Sequence, residues 1–422
     1  MSKALVPSSL PAPAQGAVDL FIVAGEHSGD EHAARVVCEL LAKKPGLRIC
    51  ALGGPELAAA GAQLLHDLTA TSVVGFVEVL KHYPYFTALF GATLRWIKEH
   101  RPRAVCFVDY PGFNLRLAAQ LRKQGLSVKG GGKIQALYYI SPQIWAWKPK
   151  RRFAMARDLD AMAVIFPFEP GCYADTKLPV EFVGHPFLAP DYAAPVRYDP
   201  AGPLLLLPGS RTQAVGKILP MLLAGFDKFR KTAPEARAVV LYPSEEVLAV
   251  ARQVLAKWPQ LAGAVDLRVV TEGRAEAGRQ TLRALPPHLR AMLERGAPAG
   301  VGAKPLGASA VLTSSGTMSL HCALAGIPGA VVYRTKTLTY WLGRMLVSVE
   351  YIGMGNLLLK EPMYPEFIQG AATAKALAAQ LGSCVGDPDR VTRTRDQSAR
   401  LKALLARPTG GTAADWLLGR LG

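Results

Sequence analysis

Short, continuous apolar runs alternating with helical periodicity constrain this chain more than any other feature. The candidate strands fall at 20–24, 49–53, 104–108, 136–140, 161–166 and 181–183, then at 204–207, 238–242, 267–270, 310–312 and 330–333, most of them apolar throughout. A strand apolar at every position must be covered on both faces, which is the condition of a parallel sheet between helices. At 422 residues the chain exceeds one ordinary core. A proline-rich stretch at 186–203 separates the two series. The expected fold is therefore α/β, with two doubly wound, Rossmann-like parallel-sheet domains facing a central cleft, at 18–195 and 196–422. The last helices are free to return to the N-terminal domain. Residues 1–17 read as a disordered leader, and 272–302 as a surface insertion with a helix near 287–295. Ligands of such folds bind at the carboxyl ends of the strands.

Composition narrows the function. Half of the residues are hydrophobic and 19% are charged, which excludes a disordered chain. No apolar run is long enough to span a bilayer, and prolines interrupt the N-terminus too often for a signal peptide, so a cytoplasmic protein is expected. The six cysteines are scattered without metal spacing, and buried reduced thiols are the expected state. The net charge of +17 is concentrated in residues 201–422 and suits phosphorylated substrates or an anionic membrane face. Nucleic acid is not expected, because no helix-turn-helix, zinc-finger or RNA-binding signature is present.

The chemistry-bearing motifs sit where the runs end. Gly25, Glu26, Ser28 and Gly29 follow the first run in a Gly-bounded loop before a helix from about Glu31; Ser28 or Asp30 as a plain helix cap is the alternative. Asp109 ends the 104–108 run, followed by Tyr110-Pro111-Gly112-Phe113-Asn114. A carboxylate there is partly desolvated and suited to act as a base, or else caps the next helix. Trp145, Trp147, Lys148 and Arg151 combine aromatic and basic character, fit for a phosphate and an apolar ligand or membrane interface, or for a solvated turn over core tryptophans. The aromatic stretch 76–90 reads as a docking face, an acyl tunnel or core. Gly209-Ser210-Arg211 pairs backbone N–H groups with a fixed-charge fork, suited to a diphosphate, or else is a surface turn with a solvated Arg. Ser315-Gly316-Thr317 opens a helix whose dipole favours an anion, although Ser and Thr also serve there as ordinary caps. Asn356 and Gln369 supply two late amides.

Taken together, these segments resemble the lipid-A-disaccharide synthases, inverting glycosyltransferases of the GT-B fold. The resemblance is collinear from Ile22 to Gln369. It rests on Ala24-Gly25-Glu26 with Ser28-Gly29-Asp30, Gly75 with Glu78-Val79-Leu80, Asp109 with Pro111, Phe113 and Asn114, and Ser141-Pro142 with Trp145-Ala146-Trp147. It continues through Pro167-Phe168-Glu169, Phe182-Val183-Gly184-His185, Leu207-Pro208-Gly209-Ser210-Arg211, Ser315-Gly316-Thr317, Tyr333-Arg334 and Asn356-Leu357-Leu358.

The resemblance implies a reaction joining UDP-2,3-diacylglucosamine to 2,3-diacylglucosamine 1-phosphate (lipid X) through a β-1,6 bond, with release of UDP. It implies UDP at the second domain, near Arg211, the Ser315–Thr317 turn, His321, Asn356 and Gln369, and the acceptor against the first. Asp109 is the expected base and Glu26 the runner-up. No cofactor and no metal are implied. Lipid substrates imply peripheral attachment to the anionic cytoplasmic face of the inner membrane, and a homodimer is compatible with the resemblance. The chain departs from the family at His321, where Glu is usual, at Tyr110-Pro111-Gly112, where many members carry a second Asp, and in the 272–302 insertion and the leader.

Overall fold

The computed structural model describes residues 9–69, 83–189, 192–269, 305–335 and 350–422. The expected insertion and part of the 76–90 aromatic stretch lie outside these residues. The chain forms two compact units, Met1–Pro186 with Arg407–Gly422, and Phe187–Ala406.

The first unit is built on seven parallel strands: β1 (Leu20–Ala24), β2 (Ile49–Gly53), β3 (Gln63–Asp67), β4 (Ala104–Val108), β5 (Gln135–Tyr139), β6 (Ala161–Val164) and β7 (Val180–Phe182). Their spatial order is β3-β2-β1-β4-β5-β6-β7. β1 and β4 bury every residue, and a fully buried Val, Leu or Phe contributes roughly 1.5–3 kcal/mol. The helices are α1 (His27–Lys43), α2 (Pro55–Ala59), α3 (Tyr83–His100), α4 (Pro111–Lys123) and α5 (Arg151–Asp158). Trp96 on α3 packs its ring 4.7 Å from that of Phe21 on β1.

The second unit holds β9 (Leu204–Leu207), β10 (Ala238–Tyr242), β11 (Val265–Val269), β13 (Ala310–Thr313), β14 (Gly329–Tyr333) and β15 (Glu366–Ile368), parallel and ordered β11-β10-β9-β13-β14-β15. A separate parallel pair joins β8 (Val196–Tyr198) to β12 (Leu306–Ala308). Around them lie α6 (Thr212–Arg230), α7 (Glu245–Leu255), α8 (Thr317–Leu324), α9 (Met354–Leu359), α10 (Ala374–Gly386) and α11 (Pro388–Leu405). The terminal helix α12 (Ala413–Leu421), opened by a Thr412/Asp415 capping box, belongs to the first unit. It is tied there by Lys43–Asp415 at 2.5 Å and Arg420–Glu181 at 2.6 Å.

Three expectations need correction. Residues 10–14 are not a loose leader: the indole N–H of Trp96 donates to Pro11 O (2.8 Å), and the amide of Gln63 bonds Ala12 O (2.9 Å) and Ala14 N (2.8 Å). The loop expected before Glu31 is shorter, because α1 begins at His27. Strands β3, β8, β12 and β15 were not foreseen; they are short or polar edge strands without a continuous apolar run.

In both sheets the first strand lies between the second and the fourth. Connections leave that point in opposite directions, opening a crevice beyond the carboxyl ends of β1 and β4, and of β9 and β13. The motifs at 25–30 and 109–114, and those at 209–211 and 315–317, stand at those two places.

Candidate functional site

At the break in the first unit, Ala24 pairs with Val108, so Glu26 and Asp109 emerge from neighbouring strand ends. Glu26 occupies the N-cap position of α1 in extended backbone, with no side-chain cap bond. Asp109 and Tyr110 both adopt left-handed backbone, with φ of 45° and 48°. Non-glycine residues pay on the order of 1–3 kcal/mol each for such conformations, which persist only where surrounding contacts over-determine them.

Those contacts are explicit. The Asp109 N–H donates to Tyr139 O at 3.1 Å. Its carbonyl accepts from the Asn114 side-chain amide at 2.8 Å and from the Tyr138 hydroxyl at 2.5 Å. The same Asn114 nitrogen reaches Val23 O (3.2 Å) and Val108 O (3.3 Å), spanning the ends of β1 and β4. From the other side the Tyr110 ring lies on Gly25, where an added methyl would stand 2.2 Å from ring carbons. Only glycine fits at that position.

The result is a half-buried carboxyl whose proton affinity is raised. Burial, and secondarily the negative charge of Glu26, push Asp109 up to about 6, against an opposing hydrogen bond from the Tyr110 N–H. A base with that affinity is mostly ionised near neutral pH yet strong enough to accept a hydroxyl proton in a transition state.

The neighbouring motif residues divide by role. Gly29 is buried in the first turn of α1 and Ser28 is half-buried beside it. Asp30 is structural: its carboxylate accepts from Gly54 N (2.7 Å), Glu56 N (3.0 Å) and Leu57 N (3.3 Å), capping α2. Beyond β5, the Trp145 N–H points at Glu169 Oε1 (3.4 Å), and its ring meets Phe166 and Phe168 edge-on. Glu169 is 1% exposed, accepts from Phe166 N at 3.0 Å, and is pushed by burial up to about 8. Trp147, Phe153 and Phe168 are exposed large apolar side chains. Lys148 Nζ sits 4.3 Å and the Arg151 guanidinium 5.2 Å from the Trp147 ring centroid. Arg152 is engaged by both oxygens of Asp175.

In the second unit, Leu207 pairs with Thr313, and the Ser314 N–H donates to Leu207 O at 2.7 Å. The turns after β9 and β13 therefore touch. Gly209 has φ 112°, and a methyl added there would meet Ser314 Oγ at 3.2 Å. Ser210 and Arg211 are exposed, with Arg211 at the N-cap position of α6. Gly316 is the N-cap of α8 in extended backbone with open space around it, Thr317 is exposed and Ser315 half-buried. Neither helix carries an acidic residue in its first turn. Two helix N-termini without carboxylates, at one crevice, leave that place suited to an anion. α9 differs, because Glu366 accepts there from Ile352 N (3.0 Å) and Gly353 N (2.9 Å) and already supplies the anion.

Four of the expected ligand residues have other occupations. Asn114 is wholly buried and spends its donors on main-chain carbonyls. His321 is 2% exposed, with Nε2 2.5 Å from the Tyr192 hydroxyl and its ring 3.9 Å from that of Phe187. Asn356 is 1% exposed; its amide donates to Tyr364 O (2.6 Å) and Glu366 Oε1 (2.9 Å) and accepts from Tyr364 N (2.8 Å). The Gln369 amide closes on the main chain of Thr335, at 2.9 and 3.1 Å. Short polar side chains beside strand ends find backbone partners before they find ligands. Conversely, sequence reasoning gave Tyr138 and Glu169 no role. The available signal was a hydroxyl and a carboxyl placed in otherwise apolar surroundings.

Comparison with known proteins gives these sites a context. A family model described as lipid-A-disaccharide synthetase matches residues 20–267 and 305–410. The lipid-A-disaccharide synthase of Geobacter sulfurreducens is 34% identical over 93% of this chain and 94% of its own. Lipid-A-disaccharide synthase 1 of Legionella pneumophila (strain Philadelphia 1) is 34% identical over 92% of this chain and 93% of its own. Among solved structures, a putative UDP-N-acetylglucosamine 2-epimerase from Listeria monocytogenes superposes with a TM-score of 0.56 at 12% identity, covering 95% of each chain. The glycotransferase of kitacinnamycin does so with 0.52 at 15% identity, over 96% of this chain and 100% of that one. The two Rossmann-like sheets are those of the GT-B fold.

Proposed function

The chain belongs to the lipid-A-disaccharide synthase family, and from that premise we propose how its two sheet breaks divide the reaction. It is a glycosyltransferase that forms the lipid A disaccharide from lipid-linked sugars. The donor is UDP-2,3-diacylglucosamine and the acceptor 2,3-diacylglucosamine 1-phosphate. The UDP diphosphate lies on the N–H groups of α6 and α8, with Arg211 supplying a bidentate positive fork. The acceptor is held by the first unit, where Asp109 takes the proton of its 6-hydroxyl as that oxygen attacks the anomeric carbon. The new C–O bond forms on the face opposite the breaking bond to the diphosphate, and UDP departs with the bonding electrons. Inversion needs one base, which fits the Asp109 carboxyl, raised by burial and secondarily by the charge of Glu26.

The observation carrying this reading is the contact between the Gly209 and Ser314 turns at the break in the second sheet. It joins two carboxylate-free helix N-termini to an exposed arginine.

Both substrates carry acyl chains, so the protein works at a lipid surface. Among the described residues no helix is long and apolar enough to cross a membrane. Exposed Trp147, Phe153 and Phe168, with Lys148, Lys150 and Arg151, form an apolar and cationic face. Such a face suits the anionic cytoplasmic leaflet of the inner membrane.

The deciding experiment incubates purified protein with both lipid substrates. Disaccharide and UDP together support the reading. UDP binding without disaccharide would instead mark a protein that binds the nucleotide sugar and does not turn it over.

A further inference from the structure

Asp109 and Tyr110 are consecutive left-handed residues, neither of them glycine, at the end of a wholly buried strand. Aspartate visits that backbone more readily than most residues, but as a single residue; nothing in a tyrosine side chain favours it, and two such residues in a row need support from outside. Two donors from different elements converge on one atom, the Asp109 carbonyl oxygen: Asn114 Nδ2 from α4 and the Tyr138 hydroxyl from β5. Both side chains are wholly buried. Asn114 sacrifices part of its own satisfaction, since its Oδ1 is buried without a hydrogen-bond partner. A purely structural asparagine is expected to satisfy both ends of its amide.

We propose that Tyr138 and Asn114 are positioning residues for the transfer reaction: they clamp the Asp109 peptide in left-handed backbone and so aim its carboxyl into the crevice between β1 and β4. Neither touches substrate. Tyr138 is the sharper of the two because one oxygen atom carries its contribution, its ring being otherwise a core filler 6.2 Å from Phe107. Releasing the clamp lets residues 109–110 relax toward ordinary backbone, and the carboxyl turns away from the acceptor and toward water.

The inference rests on Asp109 being the base, and the test separates the two ideas. Tyr138→Phe and Asp109→Asn are compared with the wild-type enzyme in kcat, KM and the acidic limb of the pH profile, with melting followed by circular dichroism. The titratable groups facing Asp109 are Glu26 at the start of α1, Tyr110 beside it and Tyr138 on β5, and only the last is altered. The expected result is a folded Tyr138→Phe protein with kcat down on the order of tenfold and KM little changed, as for loss of an effect exerted in the transition state. Its acidic limb moves to lower pH, because a more hydrated carboxyl holds its proton less tightly. A role in stability alone would lower the melting temperature and leave the limb where it was, and that outcome overturns the proposal. If Asp109→Asn retains wild-type turnover, the base assignment falls instead. If Asp109→Asn is inactive while Tyr138→Phe matches wild type in kcat and pH profile, the clamp alone falls. Should Tyr138→Phe not fold, Asn114→Ser removes the other donor and is read by the same two criteria.

Discussion

Glu26 and Asp109 stand on adjacent strand ends, and burial, with the charge of Glu26 second to it, raises the proton affinity of Asp109. In the proposed reaction the raised carboxyl is the proton acceptor and its neighbour a group that tunes it.

The pH dependence follows directly. With Asp109 pushed up to about 6, kcat/KM of the free enzyme should rise as pH increases through that value and level off above it. Glu26→Gln removes a raising influence, so the acidic limb should move down while turnover persists. If Glu26→Gln abolishes turnover at every pH, the two roles are reversed. The stability consequence has a defined sign. A carboxyl raised above its unfolded value of 3.8 favours folding at low pH, and that contribution is lost as pH rises through about 6. Asp109→Asn should therefore be no less stable than wild type at pH 8, by at most about 3 kcal/mol in its favour.

Two glycines give a matched pair. Gly209→Ala forces a left-handed φ of 112° on alanine and crowds Ser314, so it should cost about 1–2 kcal/mol of stability as well as UDP affinity. Gly316 has extended backbone and open space around it. Gly316→Ala should melt within a degree or two of wild type, and any loss of UDP affinity by calorimetry then reports how closely the diphosphate approaches. Unchanged affinity would place the ligand elsewhere.

Arg211 and Asn356 should separate in the same assays. Arg211→Lys keeps the charge and loses the fork, and UDP binding should weaken about tenfold with melting unchanged. Asn356→Ala strips partners from Tyr364 and Glu366 in a buried network. A loss of about 2–4 kcal/mol in denaturant unfolding is expected. UDP affinity per folded molecule should change little.

Glu169 offers a test in stability alone. Its carboxyl is raised to about 8, so the folded state holds a proton that the unfolded state releases near 4.5. Wild-type stability should therefore decline steadily between these values. Glu169→Gln, neutral throughout, should lack that component, and its melting temperature should fall less from pH 5 to pH 8.

Membrane docking can be measured with vesicles. Sedimentation with anionic vesicles should weaken with salt, and with Lys148→Ala and Arg151→Ala together. Trp147→Ala should weaken it at all salt concentrations. Equal binding to neutral vesicles would show that the cationic face is not used.

The central strands were legible because their composition admits no other environment: Leu20–Ala24, Ala104–Val108 and Leu204–Leu207 are apolar throughout and must be covered twice. The carboxylate at residue 109 and the turn at 209–211 were legible for the same reason, as polar residues placed directly after such strands. Gln63–Asp67 was not, since an edge strand open to solvent needs no apolar pattern. The pinned stretch at 10–14 was hidden as well, because it depends on acceptors for Trp96 and Gln63 that lie far away in sequence.

The sequence by itself determined the two parallel sheets, the family, and which strand ends run into polar turns, because apolar runs and turn residues act locally. Only the tertiary structure decided what each polar side chain at those ends does. Asn114, Asn356, Gln369 and His321 carry the hydrogen-bonding groups of ligand residues, yet the fold directs them to Asp109, Tyr364, Thr335 and Tyr192. A buried donor must find an acceptor, and which one is within reach is a property of the packed chain rather than of the residue.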